Sequence, residues 1–95
     1  MRTKKSYRYR IFYPNGERSE IDVPIAWSPI EVSVKYQHCM VVLMEPSIEQ
    51  PKLKAAIVDG SDLTWISQAP ETGAEATELL KRICGEVLFA RKYPR

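Results

Sequence analysis

Residues Thr72–Tyr93 read TGAEATELLKRICGEVLFARKY, and whether they form a helix decides what can cover a sheet built by the rest of the chain. Thr72 and Glu75 stand at capping-box spacing, hydroxyl to backbone N–H and carboxylate back to the cap. Ala76, Leu79, Leu80, Ile83, Cys84 and Val87 recur at three- and four-residue steps and make one apolar stripe. Glu75 and Glu78 precede Lys81 and Arg82, the order the helix macrodipole favours. A helix is therefore expected, with Leu80 and Ile83 at the centre of its contact. Gly85 fits a C-terminal cap, after which 86–93 would form a short final strand. If the helix runs on to Tyr93, Phe89 lies on the polar face, about 140° from the centre of the stripe at about 100° per residue. Both endings stay open.

Just upstream, Leu53–Val58 and Leu63–Gln68 read as a hairpin over Asp59-Gly60-Ser61-Asp62. A two-residue turn would set Asp59 against Asp62, so a four-residue loop is expected, pairing Val58 with Leu63, Ala56 with Trp65 and Ala55 with Ile66. Both faces of this hairpin are largely apolar. His38–Met44 reads as a continuously apolar strand covered on both faces, and Glu45–Lys52, with two prolines, as a loop. Ile30–Tyr36 is ambiguous. Ser28 and Glu31 have capping-box spacing with Pro29 at the first helical position. Yet Ile30, Val32, Val34 and Tyr36 alternate with polar residues and are rich in β-branching, and a strand is the reading taken.

At the start of the chain, Ser6–Tyr13 and Arg18–Ile25 flank Pro14-Asn15-Gly16. A three-residue loop with Gly16 in the left-handed position pairs Tyr7 with Val23, Tyr9 with Ile21 and Ile11 with Ser19 on one face. The other face then pairs Arg8 with Asp22, Arg10 with Glu20 and Phe12 with Arg18. A two-residue loop would set Tyr9 against Asp22 and Arg10 against Ile21, which is worse on both faces. This hairpin and the following Val23-Pro24 resemble the opening of β-grasp domains, a fold that needs a central helix where a strand is read here. The fold class expected is α+β: an antiparallel sheet of about five strands under one C-terminal helix. The chain is read as a single domain, 1–95, with a flexible basic arm at 1–5, a β-rich part at 6–68 and a helical part at 72–93.

Hydrophobic content of 44% and charged content of 27% are ordinary for a globular chain. The basic MRTKKSYRYR start is not followed by an apolar core, so no signal peptide is expected. The longest apolar run, Cys39–Met44, is far too short for a membrane span, and a cytoplasmic location is expected. Residues 1–10 carry five bases and no acid, 11–80 four bases against eleven acids, and 81–95 five bases against one. Basic ends around an acidic middle suit nucleic-acid contact or complementary association between surfaces.

Catalytic chemistry finds little support. His38 and Cys39 are adjacent, and neighbours in a strand point to opposite faces. Two cysteines and one histidine at no finger-like spacing do not make a zinc site. The Asp59–Asp62 stretch lacks the later ligands of a calcium loop. No phosphate loop, nucleophile elbow or carboxylate pair is present. No enzyme activity, cofactor, metal, membrane contact or small-molecule substrate is expected. The leading expectation is a protein–protein interaction module acting as a homo-oligomer, most simply a dimer. Its basis is that strands apolar on both faces outnumber the elements able to cover them. Phe89, Arg82 and Trp65 are the candidate contacts. The alternative is nucleic-acid binding through Arg2, Lys4, Lys5, Arg91, Lys92 and Arg95, since Arg8 and Arg10 have partners across the hairpin.

Overall fold

The computed structural model describes residues 5–60 and 62–85. Five antiparallel strands form one sheet in the order β2-β1-β3-β4-β5: β1 (Ser6–Phe12), β2 (Arg18–Pro24), β3 (Met40–Leu43), β4 (Ala55–Asp59) and β5 (Asp62–Ile66). Helix α1 (Pro29–Lys35) joins β2 to β3, and α2 (Gly73–Cys84) follows β5. The α+β architecture is the expected one.

The first hairpin pairs in the expected register, Tyr7 with Val23 through Phe12 with Arg18. Tyr13 N–H donates to Glu17 C=O at 2.9 Å and Gly16 sits at φ +92, so the loop holds three residues. Asn15 adds a side-chain acceptor for Glu17 N–H. In the second hairpin the register is also the expected one, but the ladder closes one pair further, with Asp59 opposite Asp62. The four-residue loop is thus corrected to a two-residue turn. Gly60, at φ +62, supplies the left-handed backbone such a turn needs. Asp62 is exposed, and water screens the like-charge contact that disfavoured this closure.

The larger correction is Ile30–Tyr36, which is helical rather than extended. Ser28 Oγ accepts the Glu31 N–H at 3.3 Å and Pro29 opens the helix. Topology decides the matter. Strands β2 and β3 both pair antiparallel to β1 from opposite sides, so they run parallel and their connection must cross a face of the sheet. A helix makes that crossing with its backbone satisfied internally. Val32 is turned onto the sheet at 1% exposure, while Ile30 and Val34 face outward at 47% and 59%.

As a result both faces of the central strands are covered. Under α1 lie Tyr9, Ile11, Val41, Leu43, Ala56 and Val58. Under α2 lie Phe12, Val42, Ala55 and Ile57, with Ala76 and Leu80 reaching down from the helix. The strand expected at His38–Met44 begins at Met40, because His38 takes a left-handed turn at φ +67. Helix α2 caps on Thr72 as expected, its hydroxyl accepting Glu75 N–H at 3.1 Å, but the Glu75 carboxylate accepts from Glu71 N–H. The helix closes at Gly85, whose N–H reaches Lys81 C=O at 2.8 Å. Leu80 is buried at 1%, whereas Ile83 is 40% exposed and so peripheral, contrary to expectation. The alternatives for 86–93 lie outside the described residues.

Candidate functional site

With both faces covered, the two sheet edges are where strand backbone groups have no partner among the described residues. Two ladder-end bonds set the phase: Ile25 N–H to Lys5 C=O at 3.1 Å, and Met44 N–H to Arg8 C=O at 2.8 Å. Odd-numbered residues of β1 therefore bond β2 and even-numbered ones bond β3, since hydrogen-bonded pairs alternate in an antiparallel ladder. Carried outward, the alternation points the N–H and C=O of Arg18, Glu20 and Asp22 away from the sheet at the β2 edge. At the β5 edge it points those of Leu63 and Trp65 outward.

The β2 edge is guarded. Arg10 Nη2 and Nε lie 2.7 and 3.0 Å from Glu20 Oε1, and Arg8 Nε lies 3.3 Å from Asp22 Oδ1. The hydrogen bond from Arg10, then its charge, holds the Glu20 carboxyl below the ordinary carboxylate range. Arg10 also donates to Pro70 C=O at 2.8 Å, and Arg18 to Glu71 C=O at 2.6 Å. These two arginines tie the hairpin to the start of α2, a link that pairwise sequence reasoning missed. Pro24 ends the strand with its C=O already occupied by Trp27 N–H at 3.0 Å.

Among the described residues the β5 edge carries one such device, Asp62 at its start. Its outward-bonding residues are Leu63, 39% exposed, and half-buried Trp65. Charge, Pro and bulges are the usual guards of an edge strand, and between Leu63 and Ile66 there is none.

Of the expected partner contacts, Trp65 packs against the α1-side core, whereas Arg82 is exposed on α2 across the sheet, so these two share no patch. Phe89 lies outside the described residues. Among the basic candidates Lys5 is exposed, while Arg2, Lys4, Arg91, Lys92 and Arg95 fall outside the described residues. Burial pushes the Cys39 thiol up, the opposite of what a nucleophile needs. Cys39 and Cys84 belong to opposite faces. Among the described residues no group of three His, Cys, Asp or Glu side chains is placed to hold a metal ion, and no helix is long and apolar enough to cross a membrane.

No family model, curated protein or solved structure matches the chain.

Proposed function

We propose that the chain is a non-enzymatic protein–protein interaction module that assembles with a second copy of itself through β5. The expectation of self-association began from a lack of cover, and α1 removes that premise. The observation that now supports the reading is the β5 edge, which from Leu63 to Ile66 carries no charge, proline or bulge and has no cover among the described residues. Antiparallel pairing across a two-fold axis, centred on Thr64, sets Leu63 against Trp65 of the other copy, and the reverse. Each such pair exchanges both outward backbone bonds and makes an apolar–aromatic cross-strand contact. The same register places Asp62 opposite Ile66, which keeps the two aspartates apart. It uses all five residues of the strand and yields one continuous sheet across both copies, an isologous interface of the kind that closes without further growth. A cytoplasmic location belongs to the same proposal, with two thiols on opposite faces left unpaired.

Light scattering after size exclusion at micromolar protein tests the reading. A mass of twice 10.9 kDa is expected, and a clean monomer across that range sinks it. A gel-shift titration on the same sample examines the nucleic-acid alternative. Binding to generic DNA or RNA that falls steeply with salt would favour contact through the basic ends.

A further inference from the structure

We propose that the groove between β2 and α1 binds an extended peptide strand bearing a carboxylate, at the opposite edge of the sheet from the self-pairing strand. The groove holds about 270 Å³. Ile21 and Val23 make its floor, Val32, Lys35 and Tyr36 its helical wall, and Pro24 and Trp27 close one end. Its β2 wall is an edge strand of the sheet, where the backbone groups of Glu20 and Asp22 point outward and have no partner among the described residues. A strand laid along that edge would place every second side chain beside Ile21 and Val23. Backbone pairing plus a pocket for alternate side chains is the physical recipe of strand-addition recognition.

Charge selects the occupant. Asp22 also lines the groove, but strand alternation turns its carboxylate to the opposite face, where Arg8 holds it. Lys35 is therefore the one side-chain charge turned into the groove by the residues lining it. Its ammonium sits 4.8 Å from the centre of the Trp27 ring, a cation–π contact that fixes it at the mouth. An apolar floor, an aromatic end and one ammonium together call for apolar side chains flanking an acidic one on the same face of the strand. On the other face the ion-paired Glu20 and Asp22 favour small polar neighbours. The short run of outward groups, ended by Pro24, limits pairing to a few residues and leaves selection to the groove.

The probe is the peptide acetyl-Thr-Val-Thr-Glu-Thr-Val-Thr-amide, titrated into Trp65→Phe protein so that Trp27 is the remaining tryptophan. A saturable change in Trp27 emission is expected. Exchanging the peptide's Glu for Gln should weaken binding about threefold, the scale of one exposed charge pair. Methylating the two Thr amides that flank Glu should abolish it. Lys35→Glu, on an exposed helix position, should reverse the preference so that a Lys peptide binds better than the Glu peptide. Absence of a saturable signal at millimolar peptide overturns the proposal, as does an unchanged preference in Lys35→Glu. Isovalerate binding as well as the peptide would mean a small-carboxylate pocket instead of a strand site and would overturn it too. Repeating the titration with Leu63→Lys added keeps this site separate from the β5 reading: peptide affinity should stay unchanged whether or not that protein self-associates.

Discussion

The two edges of this sheet share one topology and one backbone chemistry, yet they present opposite surfaces. Edge strand β2 carries Arg18, Glu20 and Asp22 between its inward apolar residues, pairs two of them with Arg10 and Arg8, and ends in Pro24. Edge strand β5 offers Leu63, Thr64, Trp65 and Ile66 with one acid at its first position. Unpaired strand edges template further pairing unless charge, proline or a bulge opposes it. The two proposals follow that difference: selective binding at β2 and self-pairing at β5. At β2 a partner must fit a groove and a short run of backbone groups. At β5 the proposed second copy has to meet only the outward backbone groups and the side chains of Leu63 and Trp65.

The comparison breaks most sharply at Leu63. Leu63→Lys places on β5 the guard that β2 already has and removes the two Leu–Trp cross-strand contacts of the proposed dimer, one from each copy. At up to about 1 kcal/mol per contact, the dimer dissociation constant should rise about tenfold or more, read by sedimentation or scattering as a function of concentration. The monomer's unfolding transition should hardly move, because Leu63 is already 39% exposed. An unchanged dimer would place the interface elsewhere. The converse experiment removes the guard at β2. Glu20→Val with Asp22→Val should add a second adhesive edge and turn closed dimers into higher oligomers.

The contrast assumes that the faces between the edges are sealed, and Leu80 tests that assumption. Truncation to Ala removes a side chain buried to 1% under α2, and large-to-small changes of this kind cost about 2–5 kcal/mol. Urea unfolding measures it. A loss under about half a kcal/mol would mean that α2 is peripheral and that its face of the sheet, not an edge, is the exposed surface.

Much of this fold was legible along the chain. Both hairpin registers followed from side chains that agree on each face: in the first, aromatic and branched residues meet on one side and opposite charges on the other. Helix α2 announced itself through Thr72 and its apolar stripe, while its end at Gly85 was one of two that the pattern allowed. What sequence left undecided was any segment whose local pattern fits two periods. Ile30–Tyr36 satisfies a strand by alternation and a helix by its cap, and only the crossing from β2 to β3 resolves it. The same error hid the candidate sites. With α1 read as a strand, one face lacked cover and the surplus apolar surface suggested a partner. With α1 in place that surplus disappears, and the edges remain. Which strands are edges depends on the order β2-β1-β3-β4-β5, a non-local fact that no residue states. Asp59 and Asp62 follow a related logic: their like charges argue against pairing, and the exposure of Gly60 and Asp62, which the pair itself does not state, lets water screen them.

A smaller effect is expected at Arg10, which belongs to the β2 guard and to the fold at once. Its side chain is 14% exposed and meets both Glu20 and the Pro70 carbonyl. Arg10→Met keeps much of the packing but strips the carbonyl's charged donor, at a cost of about 1–3 kcal/mol. Arg10→Lys should restore only part of this, since one ammonium cannot span both acceptors with the geometry of a guanidinium. Thermal unfolding distinguishes the two variants. Equal stability of Arg10→Met and the unaltered protein would reduce the arginine to a surface charge.

The finest distinction between the edges is its pH dependence, which rests on Glu20. The hydrogen bond from Arg10, ahead of the charges of Arg10, Arg18 and Arg8, holds this carboxyl below its ordinary range. A carboxyl whose value is depressed in the folded state stabilises that state at every pH above its unfolded value. The contribution then declines as pH falls through the ordinary carboxylate range towards the depressed folded value. Glu20→Gln lacks this contribution throughout. The difference in unfolding midpoint between the unaltered protein and Glu20→Gln should therefore be constant near neutral pH and shrink on acidification. Carboxylates common to both proteins cancel in that difference, so it reports Glu20 alone. Added salt should compress it, because the pair is solvent-accessible and screened. A difference that keeps its size into acid would mean that glutamine loses packing or shape rather than charge. The β2 edge would then owe its guard to Pro24 and to the Arg8–Asp22 pair rather than to the charge of Glu20.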